Sequence, residues 1–208
     1  MVTSMLYPIA NLQIQSAINN IGVAAIAGNS AATTVESLVS GLNSSFSTTT
    51  TAFMGQYIGA QKTDRVKKSF FYCLLFGAAI TFVVSVSIYL ARDFFLSFIL
   101  TNDTAAYEYA YYRMQCVLLV YVIANVNGCL SHAIQAFGYP VFGTSVSILS
   151  VFGFRMIWME FVYPIFEPSF FHLVFCFTLS WLILLAFNIG GFIFFYRRFL
   201  KGKYKKKV

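Results

Sequence analysis

Charge is so sparse along this chain that the apolar intervals between charged residues outline its architecture. No Asp, Glu, Lys or Arg occurs in residues 1–35, 37–61, 69–91, 114–154 or 168–196. A bilayer-spanning helix takes about 20 predominantly apolar residues, so each interval holds at least one span. The runs are continuous and do not alternate with period two. In lipid, only helices and closed barrels pair every backbone N–H and C=O. The pattern predicts an all-α, polytopic membrane protein with six transmembrane helices.

The boundaries of these intervals predict helices over approximately 1–27, 31–58, 69–91, 105–137, 140–163 and 171–196. A basic tail over 197–208 follows. Pro8 is tolerable early in the first helix, and Gly28-Asn29-Ser30 reads as the turn after it. The second helix is crowded with Ser and Thr, including Ser47-Thr48-Thr49-Thr50-Thr51. Such residues allow close helix approach and bond across helices, so this segment is expected to face protein or a water-filled cavity. Arg92-Asp93 ends the third helix, and Phe94–Leu100 reads as a short interfacial segment before Asn102-Asp103. The 41-residue apolar interval 114–154 overshoots a bilayer as one straight helix, so it must bend, at Gly138-Tyr139-Pro140. The Glu167-Pro168 turn separates the last two helices.

Composition agrees. Hydrophobic residues make up 59% of the chain and charged residues 10%, against about 25% charged in soluble domains, and mean hydropathy is +0.73. The 24 Phe and 13 Tyr suit lipid-facing surfaces and interfacial belts, with Tyr107, Tyr109, Tyr111 and Tyr112 as one such belt. The net charge of +7 is a topology signal and not a nucleic-acid one, because of its placement. Seven of the 14 Lys and Arg fall in the last twelve residues, and Lys62, Arg65, Lys67 and Lys68 share one short loop. Six spans put both clusters on one side, which the positive-inside rule makes cytoplasmic. That arrangement predicts a multi-pass protein of the inner (plasma) membrane with a cytoplasmic C-terminus. The tail can also attract anionic lipid. Cys73, Cys116, Cys129 and Cys176 all fall within predicted spans without C-x-x-C spacing, so neither a disulfide framework nor a metal site is expected. The first residues lack the Lys and Arg of a secretory signal.

Several stretches in order carry a family likeness. They are Gln15–Gly22, Ala25–Ala32, the Gly-Gln-x-x-Gly-Ala segment Gly55-Gln56-Tyr57-Ile58-Gly59-Ala60, and the basic Asp64–Lys68 behind it. Phe154-Arg155-Met156-Ile157-Trp158 and Ser180-Trp181 complete the set. Together these resemble the C-terminal half of a multidrug and toxic compound extrusion (MATE) transporter over nearly the whole chain. The resemblance implies one of two six-helix lobes related by a pseudo-two-fold around a central cavity. It also implies antiport of cationic or amphiphilic compounds against Na⁺ or H⁺, a second lobe from a separate chain or a homodimer, and no cofactor beyond that coupling ion. Family lobes carry more residues before the Gln-Ser-x-x-Asn stretch, so the first helix is expected to be shortened and the chain truncated at its N-terminus. Ile134–Gly138 stands where many members carry Arg-Gly-x-Gly, which puts a role for that arginine in doubt here. One branch places acidic residues on the first and fourth helices of this lobe. Here the first has none and the fourth only Glu108, so the resemblance implies that the ion-coupling carboxylates lie in the N-terminal lobe, with Glu36 as the only local candidate.

Polar residues at membrane depth are the candidate cavity, ion or substrate groups. Glu36 is the acidic side chain furthest inside an apolar helix, where a charge costs roughly 2.5–3.5 kcal/mol on insertion scales. It is either a cation- or proton-responsive carboxylate facing the cavity, or an interhelical hydrogen-bonding group near the outer interface. Gln15 and Asn19 lie four apart and share a helix face, where they line the cavity or bond a neighbouring helix; Asn125 and Asn127 carry the same two readings. Arg155 is read as reaching Glu36 or a carbonyl of a neighbouring helix, more a structural ion pair than a substrate contact. Glu160 lies about 140° round the helix from it, which makes it a poor partner. Trp158 and Trp181 read as packing or belt residues, and His132 and His172 as interfacial. No paired carboxylates, Ser/His or Cys/His arrangement or phosphate loop points to an enzyme. A lipid-linked oligosaccharide flippase of the same superfamily, or a non-transporting remnant or assembly partner, are the alternatives. Flippases of that kind show several cavity-facing cations, and here only Arg155 qualifies.

Overall fold

The computed structural model describes residues 2–100, 103–165 and 170–204, with side chains described from residue 11 to residue 200 of these. The Glu167-Pro168 turn and the lysines Lys205–Lys207 lie outside the described residues. The described chain is helical throughout: α1 (Val2–Ile21), α2 (Val23–Gly59), α3 (Thr63–Leu90), α4 (Arg92–Ile99), α5 (Thr104–Val117), α6 (Tyr121–Ala136), α7 (Pro140–Ser147), α8 (Phe154–Ile157) and α9 (Phe170–Tyr204). A single 3-10 turn, Leu118–Val120, joins α5 to α6 into one rod, and π-helical stretches Ile148–Gly153 and Trp158–Val162 flank α8.

Among the described residues, four helices are long and apolar enough to cross a bilayer: Thr63–Leu90, Thr104–Ala136, Pro140–Val162 and Phe170–Leu200. The other two of the six expected helices, α1 and α2, are not among these four. At 37 residues α2 is long enough, but its Ser and Thr lower its hydropathy below that of a lipid-facing span. It lies at the centre of the lobe instead, packed against α3, α5 and α6. Its buried stripe of Ala31, Ala32, Val35 and Val39 meets Ala110 and Met114 of α5, Leu118, and Ile88 of α3.

The break between the first two helices falls at Gly22, not at Gly28-Asn29-Ser30. Gly22 has φ +138°, a backbone state that only glycine adopts without strain, and open space where a side chain would stand. Gly28 is helical for a different reason. A Cβ there would lie 2.8 Å from Tyr109 Cβ and 2.9 Å from the Ala110 backbone nitrogen, so its missing side chain lets α5 touch α2. Two more boundaries differ from expectation. The basic residues Arg65, Lys67 and Lys68 form the opening turns of α3 and not a loop, because only Ala60–Lys62 are needed for the turn, with Gln61 at φ +57°. At the other end α9 runs on to Tyr204, so Arg197–Tyr204, expected as a separate tail, continue the helix. The α6–α7 junction turns at Gly138, φ +93°, with Pro140 opening α7.

The close α2–α5 contact gives a direct test. Gly28→Ala is expected to destabilise the lobe by about 1–3 kcal/mol through overpacking, measured as a lower midpoint in a detergent thermal-shift assay. Gly190→Ala, where a Cβ meets nothing within 4 Å, is expected to leave that midpoint unchanged.

Candidate functional site: a buried ion pair and its amide chain

Glu36 and Arg113 meet inside the lobe. Both are 4% exposed. Arg113 Nε donates to Glu36 Oε1 at 2.8 Å and Nη2 donates to Glu36 Oε2 at 2.9 Å. This two-pronged geometry matches the planar guanidinium fork to the carboxylate, which makes it one of the stronger hydrogen-bonded pairs available to side chains. Arg113 Nη1 donates to Asn29 Oδ1 at 2.8 Å. Asn29 Nδ2 in turn donates to Gln15 Oε1 at 3.1 Å, and Gln15 Nε2 donates to Asn19 Oδ1 at 3.2 Å. One chain of hydrogen bonds therefore runs from the exposed Asn19 on α1 through α2 to the buried pair on α2 and α5.

Local structure sets this up. Helical spacing puts Gly28, Ala32 and Glu36 on one stripe of α2, at i, i+4 and i+8. On α5, Ala106, Ala110 and Arg113 are all buried. The small residues let the two backbones come close enough for a short carboxylate to reach the guanidinium. Asn29, expected in a turn, is buried in the second turn of α2 and carries the network across to α1.

Three of the four candidate residues, Glu36, Gln15 and Asn19, are thus joined in one network. The fourth is not. Arg155 does not bond Glu36; its Nη1 donates to Asn11 Oδ1 at 2.8 Å, and Nε and Nη2 approach Ser180 Oγ at 3.4 Å. The expected Arg155–Glu36 contact is corrected because the carboxylate's two oxygens are already taken by Arg113. The two arginines are linked indirectly, since the Phe177 ring lies 5.0 Å from the Arg113 guanidinium carbon and 4.2 Å from that of Arg155. Arg155 also stands on the one α-helical stretch between two π-helical ones, and these wider turns are frequent at functional positions.

The residues that sequence reasoning missed are Arg113, Asn29, Asn11 and Phe177. A signal existed for Arg113: it is a lone cation at the edge of a 41-residue charge-free interval, and a charge at that depth needs a partner.

A second polar cluster is structural. Asn43 Oδ1 accepts from Thr81 Oγ1 at 2.8 Å and from Asn125 Nδ2 at 3.1 Å, tying α2, α3 and α6 together. Asn127 donates to the Trp181 carbonyl, and His132 pairs with Thr51 Oγ1 at 2.8 Å. Among the described residues, no group of three or more His, Cys, Asp or Glu is placed to hold a metal ion.

A MatE family model matches residues 1–159 of the 208. No curated protein and no solved structure matches the chain.

Removing one partner of a buried pair strands the other charge, at a cost of about 3–5 kcal/mol. Glu36→Gln and Arg113→Gln are each expected to reduce the yield of folded protein in detergent sharply. The neutral double substitution is expected to recover part of that loss. A double-mutant cycle of thermal midpoints measures the coupling, and additive single effects would show the pair to be unimportant.

Proposed function

Because the chain belongs to the MatE family of membrane transporters, we propose that it forms part of a secondary active antiporter exporting cationic or amphiphilic compounds in exchange for Na⁺ or H⁺. The family is one of transporters and not of enzymes. The observation that carries the finer reading is the bidentate Arg113–Glu36 pair at the end of a hydrogen-bond chain leading to an exposed amide. Ionisable groups at membrane depth mark ion or proton paths. An incoming Na⁺ or H⁺ competes with Arg113 for Glu36, and the freed guanidinium rearranges the amides of α1 and α2. Gly22 joins those two helices, so a change in the network bears directly on the angle between them.

The reading includes a second six-helix lobe, from a separate chain or from a homodimer. Support comes from the face of α2 turned away from the core, where Ser30, Thr33, Thr34, Ser37, Gly41 and Ser44 are exposed. Several of these hydroxyls bond their own helix, as Thr33 Oγ1 does to the Asn29 carbonyl at 2.6 Å. The face is therefore small and polar, suited to a water-filled cavity or a close-packed helix and unsuited to hydrocarbon. The inner membrane as location, and the side reached by the C-terminus, follow from the positive-inside rule within the same proposal.

The test is reconstitution of the full chain in proteoliposomes, with ethidium as the amphiphilic cation and an imposed Na⁺ or H⁺ gradient. Gradient-driven ethidium movement is expected, with at least about a tenfold loss per folded molecule in Glu36→Gln and in the better-folded Glu36→Gln with Arg113→Gln, equivalent to about 1.4 kcal/mol. Movement that ignores both gradients, or is unchanged by Glu36→Gln, would overturn the coupling role. Crosslinking in the same vesicles reads whether two copies associate.

A further inference from the structure

At the basic end of the lobe, α3 and α9 part to leave an apolar cleft of about 510 Å³. That is within the range of ligand pockets, roughly 300–1,000 Å³. Its walls are Met54, Phe70, Phe71, Phe137, Phe192 and Tyr196, and Lys67 and Lys68 stand among the lining residues. The aromatic wall is stacked. Phe70 stacks on Phe192 with ring centroids 4.4 Å apart, and Phe192 stacks on Tyr196 at 5.8 Å and 9° between planes. Met54 is closed in at 1% exposure, whereas Phe71 stands 58% exposed.

Both flanking helices are apolar enough to cross a bilayer. They carry exposed large hydrophobic residues, Phe76 and Phe82 on α3 and Phe187 and Phe194 on α9, so the cleft opens towards acyl chains. Its lysines belong to a run of four cations, Lys62, Arg65, Lys67 and Lys68, tempered by Asp64, and Arg197 and Arg198 follow Tyr196 directly on α9. An apolar slot under a cationic rim at the end of two spans has the chemistry of one molecule type: a hydrocarbon chain joined to a negative headgroup. We propose that this cleft is a binding site for an anionic phospholipid, with one acyl chain along the α3–α9 seam against the stacked Phe70 and Phe192 rings and the phosphate at Lys67 and Lys68. A zwitterionic headgroup brings its own cation and gains less from the rim. Because the cleft draws on the ends of α2 and α6 as well, a bound lipid braces four helices at once.

The proposal is tested by native mass spectrometry of the full chain in detergent, titrated with phosphatidylglycerol or phosphatidylcholine of identical acyl chains. One phosphatidylglycerol is expected to be retained, at least about tenfold more tightly than phosphatidylcholine. Lys67→Gln with Lys68→Gln is expected to weaken it about 25-fold, at about fivefold per basic residue near a membrane surface. Both lysines are exposed, so these variants retain the fold. Phe71→Ala, which removes an exposed part of the wall, is expected to weaken binding at least about threefold. Lys62→Gln with Arg65→Gln removes the same charge outside the cleft and is expected to change binding less than about threefold. Equal weakening by the two charge-removing pairs would show diffuse attraction and overturn the site. Soluble glycerol phosphate binding as tightly as the lipid, or an unchanged Phe71→Ala, would overturn the acyl-chain half of the proposal.

Discussion

A full positive and a full negative charge sit 4% exposed within this lobe, and each is tolerable there only because the other satisfies it. The Arg113–Glu36 pair therefore constrains more than its own two residues. Both prongs must close, so the α2–α5 separation is fixed within the reach of a glutamate side chain. That separation in turn requires Gly28, Ala31 and Ala32 on α2 to face Ala106 and Ala110 on α5. A larger residue at any of these points pushes the helices apart and lengthens bonds that are now 2.8 and 2.9 Å. The energetic logic is one of avoided cost. Desolvating two ions is expensive, and the pair plus the Asn29 amide offsets it without supplying a large net stabilisation.

Around that contact the lobe divides into a stiffer and a looser part. On the stiffer side, α2 is a continuous 37-residue rod clamped by Asn43 to Thr81 and Asn125 and by apolar packing to α3, α5 and α6. On the looser side, α1 joins α2 through a single glycine and is tied to it by the Asn29–Gln15 amide–amide bond of 3.1 Å, which is neutral and partly buried. The segment carrying Arg155 is wound with π-helical turns on both flanks. Phe177 links the two sides, since both guanidiniums lie against its ring. Hydrogen bonds and ring contacts thus connect Glu36 to α1, α8 and α9.

Much of this was legible in the chain, for identifiable reasons. The charge-free intervals predict an all-α membrane protein because bilayer thickness sets a length that any apolar run can be measured against. Glu36, Gln15 and Asn19 stand out because polar groups are conspicuous in such runs. The Ser and Thr crowding of the second helix points to protein or water as its neighbour, and α2 does take the central position. The errors are equally instructive. Gly28-Asn29-Ser30 has the composition of a turn, but a glycine serves either a positive φ or a close approach, and local sequence does not distinguish the two. The basic run at Lys62–Lys68 has the composition of a loop, yet Lys and Arg are good helix formers and α3 simply begins earlier. Arg155 is expected to reach Glu36 or a neighbouring carbonyl because it too is a lone cation in an apolar run, yet the carboxylate is taken by Arg113 of α5.

The sequence by itself determined the solvent this protein folds in, its helical class and how few charges its helices carry. These follow from properties that act along the chain: hydropathy, helix length and the obligatory pairing of backbone polar groups. Only the tertiary structure decided which glycine bends and which one packs, which arginine answers Glu36, and where basic and aromatic residues enclose a cleft. Those outcomes depend on contacts between segments far apart in sequence. There, steric fit between two helix faces and the cost of an unpaired buried charge select one partner among several of the same chemistry.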